Sequence, residues 1–333
     1  MSRAERQFLL LTPLRDWKKQ KKQPDKLILS PAVRLYRRFT LIFSASLYSS
    51  AATLCAISSL LLPITAQAFP LKIATWNMDW LLNASAPLAA TAPPDIPHRT
   101  TADITTLAAY ARRLNADIVG FQEVATPEIA AHVFPPDRYT LYMTHDPVLQ
   151  RTGVAVRHGL QVVNHPDLTA LNVTKDNAPH PLRSGLDLTI VGGAKTLRLL
   201  VVHLKTGCWD NPPTERNHAC PLLLQQFLVL QNWISERQKN GEAFMILGDF
   251  NRRMTQHDPF FQLLDKVGTI KLATAGFASP CAGGSYFIDH VLLGGAALGW
   301  LQPNSLRTML YAPAEHAVVS DHCPVSVRMQ IPD

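Results

Sequence analysis

Six places in this 333-residue chain set a short hydrophobic segment directly against side chains that can bind cations or move protons. In order they read Ala74-Thr75-Trp76-Asn77, Phe121-Gln122-Glu123, Val202-His203-Leu204-Lys205, Gly248-Asp249-Phe250-Asn251, Phe287-Ile288-Asp289-His290 and Ser320-Asp321-His322. Open α/β sheets gather the side chains at their strand ends into one crevice, so residues far apart in sequence can share a single site.

The segments between these motifs alternate in type. Residues 71–76, 117–121, 138–142, 153–156, 186–191, 197–203, 243–247, 286–293 and 324–330 read as strands, with Gly192-Gly193 as a turn. Residues 101–114 carry Ile104, Leu107, Ala108, Ala111 and Leu114 at helical spacing, 221–239 carry a longer stripe, 259–267 form a short helix, and the Ala- and Pro-rich 83–97 form a loop. Several strands meet through short turns rather than helices. That predicts an α/β (α+β) fold in which two mixed β-sheets pack face to face with helices outside.

The N-terminus is of a different kind. Residues 1–38 are polar and basic, an uncharged apolar run follows from Phe39 to about Leu62, and Ala66-Gln67-Ala68 precedes Phe69. This is the build of an export signal cleaved after Ala68. A transmembrane anchor competes, since the run is long enough to span a bilayer, but its Ser, Ala and Thr content favours cleavage. The expectation is removal of 1–68 and a single catalytic domain over 69–333, periplasmic or extracellular, monomeric and without stable membrane association. The leader holds 11 of the 32 Lys and Arg and 3 of the 25 Asp and Glu, which leaves 21 basic and 22 acidic residues and a formal net charge of −1. Bulk charge therefore gives no sign of a polyanion-binding surface.

Four cysteines remain: Cys208, Cys220, Cys281 and Cys323. An even count in an exported chain suggests disulfides. Cys208 and Cys220 flank a short polar loop and are expected to pair, a closure that contributes ~3 kcal/mol. Cys281 and Cys323 leave two readings open, a second disulfide or a buried thiol at Cys323.

The polar residues suit phosphate-ester cleavage, which needs a cation against developing negative charge, a base for water and donors that hold the phosphate. Glu123, with Asn77 and Asp321 beside it, offers the hard oxygen ligands that Mg²⁺ or Mn²⁺ prefers. Zinc competes through His203 and His322, but the chain has no HExxH or close CxxC. His322 is the natural base and Asp289 the carboxylate that orients it. Singly, each motif is more often a turn, a cap or a structural histidine; Arg252 and Arg253 read as a solvated pair. Six such strand ends together make coincidence a poor explanation.

With these residues in place the chain resembles the endonuclease/exonuclease/phosphatase superfamily over about 71–330, most specifically in Gly-Asp-Phe-Asn and Ser-Asp-His. The resemblance implies a four-layer sandwich and a divalent-metal phosphodiesterase or phosphomonoesterase. Carried over by position, it implies that Asn77, Glu123 and Asp321 serve the metal and that His203 contacts the phosphate or acts as a second acid/base group. Asp249 would position the nucleophile or assist the leaving group, Asn251 would hold a phosphate oxygen, and Asp289 would pair with His322. Arg183 is a further phosphate contact. One departure stands out: where deoxyribonuclease I-like members place a Glu to partner the first His, this chain reads Arg151-Thr152-Gly153-Val154.

The leading expectation is an exported nuclease acting on DNA or RNA. The alternatives are a phospholipid or sugar-phosphate phosphatase or phosphodiesterase, and a binding module that keeps the fold without turnover.

Overall fold

Side-chain alternation along the strands decides the layers. In the computed structural model, which describes residues 69–333 except 84–88, 91, 175–177, 179, 217–218, 282 and 333, the elements run in chain order as β1 (Phe69–Leu81), α1 (Thr101–Leu114), β2 (Ile118–Val124), α2 (Pro127–Val133), β3 (Tyr139–Met143), β4 (Arg151–Arg157), β5 (Gln161–Asn164), β6 (Leu186–Gly192), β7 (Lys195–His203), α3 (Cys220–Lys239), β8 (Phe244–Asp249), α4 (Pro259–Asp265), β9 (Ile270–Leu272), β10 (Asp289–Gly294), β11 (Arg307–Thr308), α5 (His316–Val319) and β12 (Val325–Ile331). The expected export signal, 1–68, lies outside the described residues. Among the described residues no helix is long and apolar enough to cross a membrane.

Two six-stranded sheets form, in the orders β11-β12-β1-β2-β4-β3 and β5-β6-β7-β8-β10-β9. Each is mixed, with one parallel pair near its centre: β1 beside β2, and β7 beside β8. The period of two then sorts the residues. Leu71 and Ile73 of β1, Leu197, Leu199 and Val201 of β7, Met245 and Leu247 of β8, and Val291 and Leu293 of β10 fill one apolar layer between the sheets. Ala74, Trp76 and Met78 of β1 face the other way, onto Leu107, Ala111 and Leu114 of α1. Leu200, Val202, Phe244 and Ile246 likewise meet Leu223, Phe227 and Leu230 of α3. The result is the helix-sheet-sheet-helix sandwich, and each fully buried Leu, Ile or Val in it contributes about 1.5–3 kcal/mol.

Local chemistry sets the boundaries. Thr100 and Asp103 form a reciprocal capping box at the start of α1, and Asn115 ends it in a left-handed conformation. Asp258 caps α4 by accepting from the N–H groups of Phe260 and Phe261. The strand expected from 286 begins at Asp289, because Tyr286 makes only an isolated bridge to Ala278. Helix α2 was not legible from apolar spacing, although Thr126 caps it and Pro127 opens it. Both disulfides are present, Cys208–Cys220 and Cys281–Cys323, so the second pair takes the cross-linked of its two readings.

The sheets pack closely at Gly120, where an added Cβ would collide with the side chain of Leu247 and crowd Val201. Leu247 is fully buried in the layer between the sheets. Gly120→Val is expected to lower stability by about 1–3 kcal/mol in urea unfolding with the m-value unchanged; a variant as stable as the native protein would contradict this apposition.

Candidate active site

The faces that build the inter-sheet layer end in polar residues. Asn77 continues the Leu71, Ile73 face, His203 the Leu199, Val201 face, Asp249 the Met245, Leu247 face, and Asp289 the Val291, Leu293 face. Asp249 and Asp289 are also direct partners in the antiparallel register of β8 and β10. Glu123 has the wrong parity, since Val119 and Phe121 of its strand face the helices. A register shift between Phe121 and Val124, with Glu123 at φ 60°, turns its carboxylate into the crevice.

Hydrogen bonds join these ends. Asn77 Nδ2 donates to Glu123 Oε1 and to Asp249 Oδ2, both at 3.1 Å. Glu123 Oε2 accepts from the Trp80 N–H at 3.1 Å. Asp249 also accepts from Asn251 N–H at 2.8 Å and Asn251 Nδ2 at 3.0 Å. The second Nδ2 hydrogen of Asn251 goes to the Leu204 carbonyl, so both are engaged within the protein. Asp249 is buried, and burial first, then the neighbouring Asp289 and Glu123 charges, push its pKa up against the pull of His322.

Facing it is a histidine-carboxylate dyad. His322 Nδ1 donates to Asp289 Oδ2 at 2.8 Å, which leaves Nε2 directed toward Asp249 Oδ2 at 3.9 Å. That gap is too long for a hydrogen bond, and a water lying to one side of it can reach both atoms. Burial alone would lower the His322 pKa, yet Asp289, Asp249 and Asp321 together raise it well above the usual imidazole value.

His203 is held differently. Its Nδ1 accepts from Arg183 Nε at 3.1 Å, so the ring proton sits on Nε2, 3.5 Å from Glu123 Oε1 and 3.7 Å from Asp249 Oδ2. Burial and the Arg183 charge drive its pKa well below the usual value and keep it neutral. Thr152, at the position of the departure noted in sequence, takes no part: its hydroxyl donates to the Ser184 carbonyl at 3.1 Å. The Arg183 guanidinium, not a carboxylate, partners His203.

All nine sequence-selected residues, Asn77, Glu123, Arg183, His203, Asp249, Asn251, Asp289, Asp321 and His322, therefore lie in or beside one crevice, with Asp321 exposed at its rim, 3.9 Å from His322 Nε2. Two more belong with them. Asp79 follows Asn77 by two positions, and burial, then Asp321 and Glu123, raise its pKa to about 6. Arg99, 2 % exposed, donates to the Asp79 carbonyl and to the carbonyls of Val318 and Val319, just before Ser320-Asp321-His322. The Asn-Met-Asp spacing was visible in sequence; nothing local marked Arg99. Arg252 corrects the reading of a solvated pair, because it is buried in an ion pair with Asp258.

Asp321 and Glu123 lie near enough to Asp79 to raise its pKa, and oxygen-only carboxylates of this kind are the donor type that a hard divalent cation prefers. Asp249, Asp289 and His322 also place donor atoms within 4.8 Å of one another. There, however, His322 Nδ1 is engaged by Asp289, and the Asp249 oxygens by three N–H donors, an arrangement for handling protons more than for coordination.

Residues 74–322 match the model of the Endonuclease/Exonuclease/phosphatase family. The chain belongs to this family. No curated protein matches it in sequence. Among solved structures, truncated TDP2 from Caenorhabditis elegans is 17% identical with a TM-score of 0.52, over 79% of this chain and 98% of that one. TDP2 from D. rerio complexed with a single-strand DNA product is 16% identical with a TM-score of 0.52, over 78% and 98%. A 3'-5' exonuclease from Neisseria meningitidis is 17% identical with a TM-score of 0.51, over 78% and 100%. At these identities the structures share the family fold.

On the far face of β10 from Asp289, buried His290 faces the Arg252 carbonyl at 2.9 Å and the Thr274 hydroxyl at 2.5 Å, and burial lowers its pKa to about 4. The unfolded chain takes up this proton at about pH 6.5 and the folded chain only near 4. Between those values the unfolded state binds more protons at this group, so the His290 contribution to stability falls as pH drops, by about 1.4 kcal/mol per unit at the steepest and ~3 kcal/mol in all, opposite in sign to the raised Asp79 and Asp249 carboxyls. Urea midpoints measured from pH 7 to 4 for the native protein and for His290→Gln isolate this contribution: the native protein should lose stability relative to the variant as pH falls, and equal slopes for both proteins would contradict the assignment.

Proposed function

We propose that this protein is an exported, divalent-metal-dependent phosphoesterase that hydrolyses phosphodiester bonds in DNA or RNA. The observation that carries the reading is the buried Asp249 carboxylate, fixed by Asn77 and Asn251, facing the His322–Asp289 dyad across 3.9 Å, where one water beside the gap can reach both. In the fraction of molecules whose His322 ring is neutral, a fraction that grows as pH rises toward the raised pKa, Nε2 takes the proton of the attacking water, Asp289 holds the ring in the required tautomer, and Asp249 orients the same water. The Arg183 terminal nitrogens donate to no described residue, and with the His203 Nε2–H they supply the donors for the phosphate. Asn251 acts on Asp249. Glu123, Asp79, Asp321 and Asn77 would hold Mg²⁺ or Mn²⁺, which supplies charge compensation for the phosphate oxygens.

Two features support export and substrate class. Both disulfides belong to an oxidising compartment, in keeping with removal of 1–68. Solved members of the fold include a 3'-5' exonuclease and a protein holding single-strand DNA product. The net charge of −1 over 69–333 suits short or single-stranded substrates better than long duplexes.

Purified protein with Mg²⁺ is expected to cleave single-stranded DNA or RNA, to stop with a chelator and to recover on metal add-back, while His322→Ala lowers kcat by roughly 10²–10⁴-fold. Release of phosphate or phosphocholine from lipids or sugar phosphates with nucleic acid intact would instead favour the phosphatase reading. Because His203 works as a neutral donor, His203→Gln should stay within about tenfold of native kcat and His203→Ala should lose about 10²-fold or more. Equal losses would point to proton transfer at His203.

A further inference from the structure

Beside the His322–Asp289 dyad lies a cavity of about 170 Å³ whose walls include Trp209, Arg253 and Tyr286, none of which the hydrolytic chemistry uses. Each wall is tied to a site element. Trp209 follows the disulfide-bonded Cys208, bridges Arg252 and accepts from the Arg253 N–H at 3.2 Å, so it is fastened to the segment after Asn251. The Arg253 guanidinium sits 5.3 Å from the centre of the Trp209 ring. Tyr286 is 50% exposed and stands three residues before Asp289. It closes a turn in which Ser279 N–H donates to the Ser285 carbonyl at 2.7 Å, and the Cys281–Cys323 disulfide joins that turn to the residue after His322. The aromatic groups are thus pre-positioned at the edge of the reacting centre.

We propose that this cavity is a base-binding subsite, in which the nucleobase next to the scissile phosphate stacks on the Arg253–Trp209 layer and against Tyr286. The inference builds on the phosphoesterase reading and names the substrate group that the site selects. A nucleobase is a flat ring that stacks on aromatic and guanidinium planes alike. A choline headgroup is held best where several open aromatic faces enclose it, and here a guanidinium already covers Trp209 and repels a quaternary ammonium, which leaves Tyr286 alone of the two aromatic walls open. A free sugar has no flat ring to offer. The chemistry of the walls therefore selects nucleotides over phosphocholine lipids and sugar phosphates.

The test compares binding of adenosine 5'-monophosphate, ribose 5-phosphate and choline phosphate by calorimetry, together with cleavage of a DNA strand and of the same strand without bases. The native protein should bind the nucleotide about tenfold or more tighter than ribose 5-phosphate and should prefer the base-bearing strand in kcat/KM. Tyr286→Ser and Trp209→Leu should each shrink both ratios severalfold; Tyr286 is surface-exposed, so that variant holds the test if Trp209→Leu fails to fold. Equal binding of nucleotide and ribose phosphate, ratios unmoved by the Tyr286 change, or tighter binding of choline phosphate would each overturn the subsite. Nucleotide preference that falls in the variants, in a protein that cleaves no phosphodiester, would uphold the subsite and overturn the phosphoesterase reading alone.

Discussion

The strand faces that seal the apolar layer between the two sheets are the same faces that carry Asn77, His203, Asp249 and Asp289 at their ends. A period of two permits no other outcome once the register is set, because a slip of one residue would turn every one of these groups toward the helices. Packing of Leu71, Ile73, Val201, Leu247 and Val291 therefore does two things: it stabilises the sandwich and it aims the polar side chains into one crevice. The parallel pairs at the heart of each sheet, β1 with β2 and β7 with β8, bring their C-terminal ends side by side and supply Asn77, Glu123, His203 and Asp249.

That arrangement has an energetic cost which the rest of the site offsets. Asp79, Trp80, Glu123 and Asn251 all have left-handed backbone, at φ between 45° and 60°, a conformation that costs non-glycine residues ~1–2 kcal/mol. Carboxylates of Asp79 and Asp249 are held among other carboxylates, away from water, with raised pKa values as the consequence. Arg99, His322 and the amide groups of Asn77 and Asn251 compensate part of this charge. Strain and like-charge crowding of this kind persist where the surrounding structure over-determines them, and they concentrate at functional sites.

Much of this was legible in the amino-acid sequence because it follows from local pattern. Apolar runs ending in Asn77, His203 and Asp249 identify strands and their terminal groups, and the helical stripe from Ile104 to Leu114 identifies α1. The illegible parts depend on tertiary contacts. Glu123 reaches the crevice through a bulge, which no alternation pattern encodes. Arg99 acquires its role only where β1 and the segment before Ser320 converge, and Arg183 becomes the partner of His203 only when two distant segments meet. Arg252 and Arg253 look alike in sequence, yet Asp258 buries one and Trp209 stacks with the other.

Asp249 and His322, 73 residues apart in sequence but facing one another across 3.9 Å, stand or fall as a unit. The most direct measurement is a double-mutant cycle on kcat for phosphodiester cleavage, with Asp249→Asn, His322→Ala and both together. Groups that act on one water give a double variant little slower than the worse single variant. Losses that simply multiply would mean that the two side chains work independently, and the shared site would be refuted.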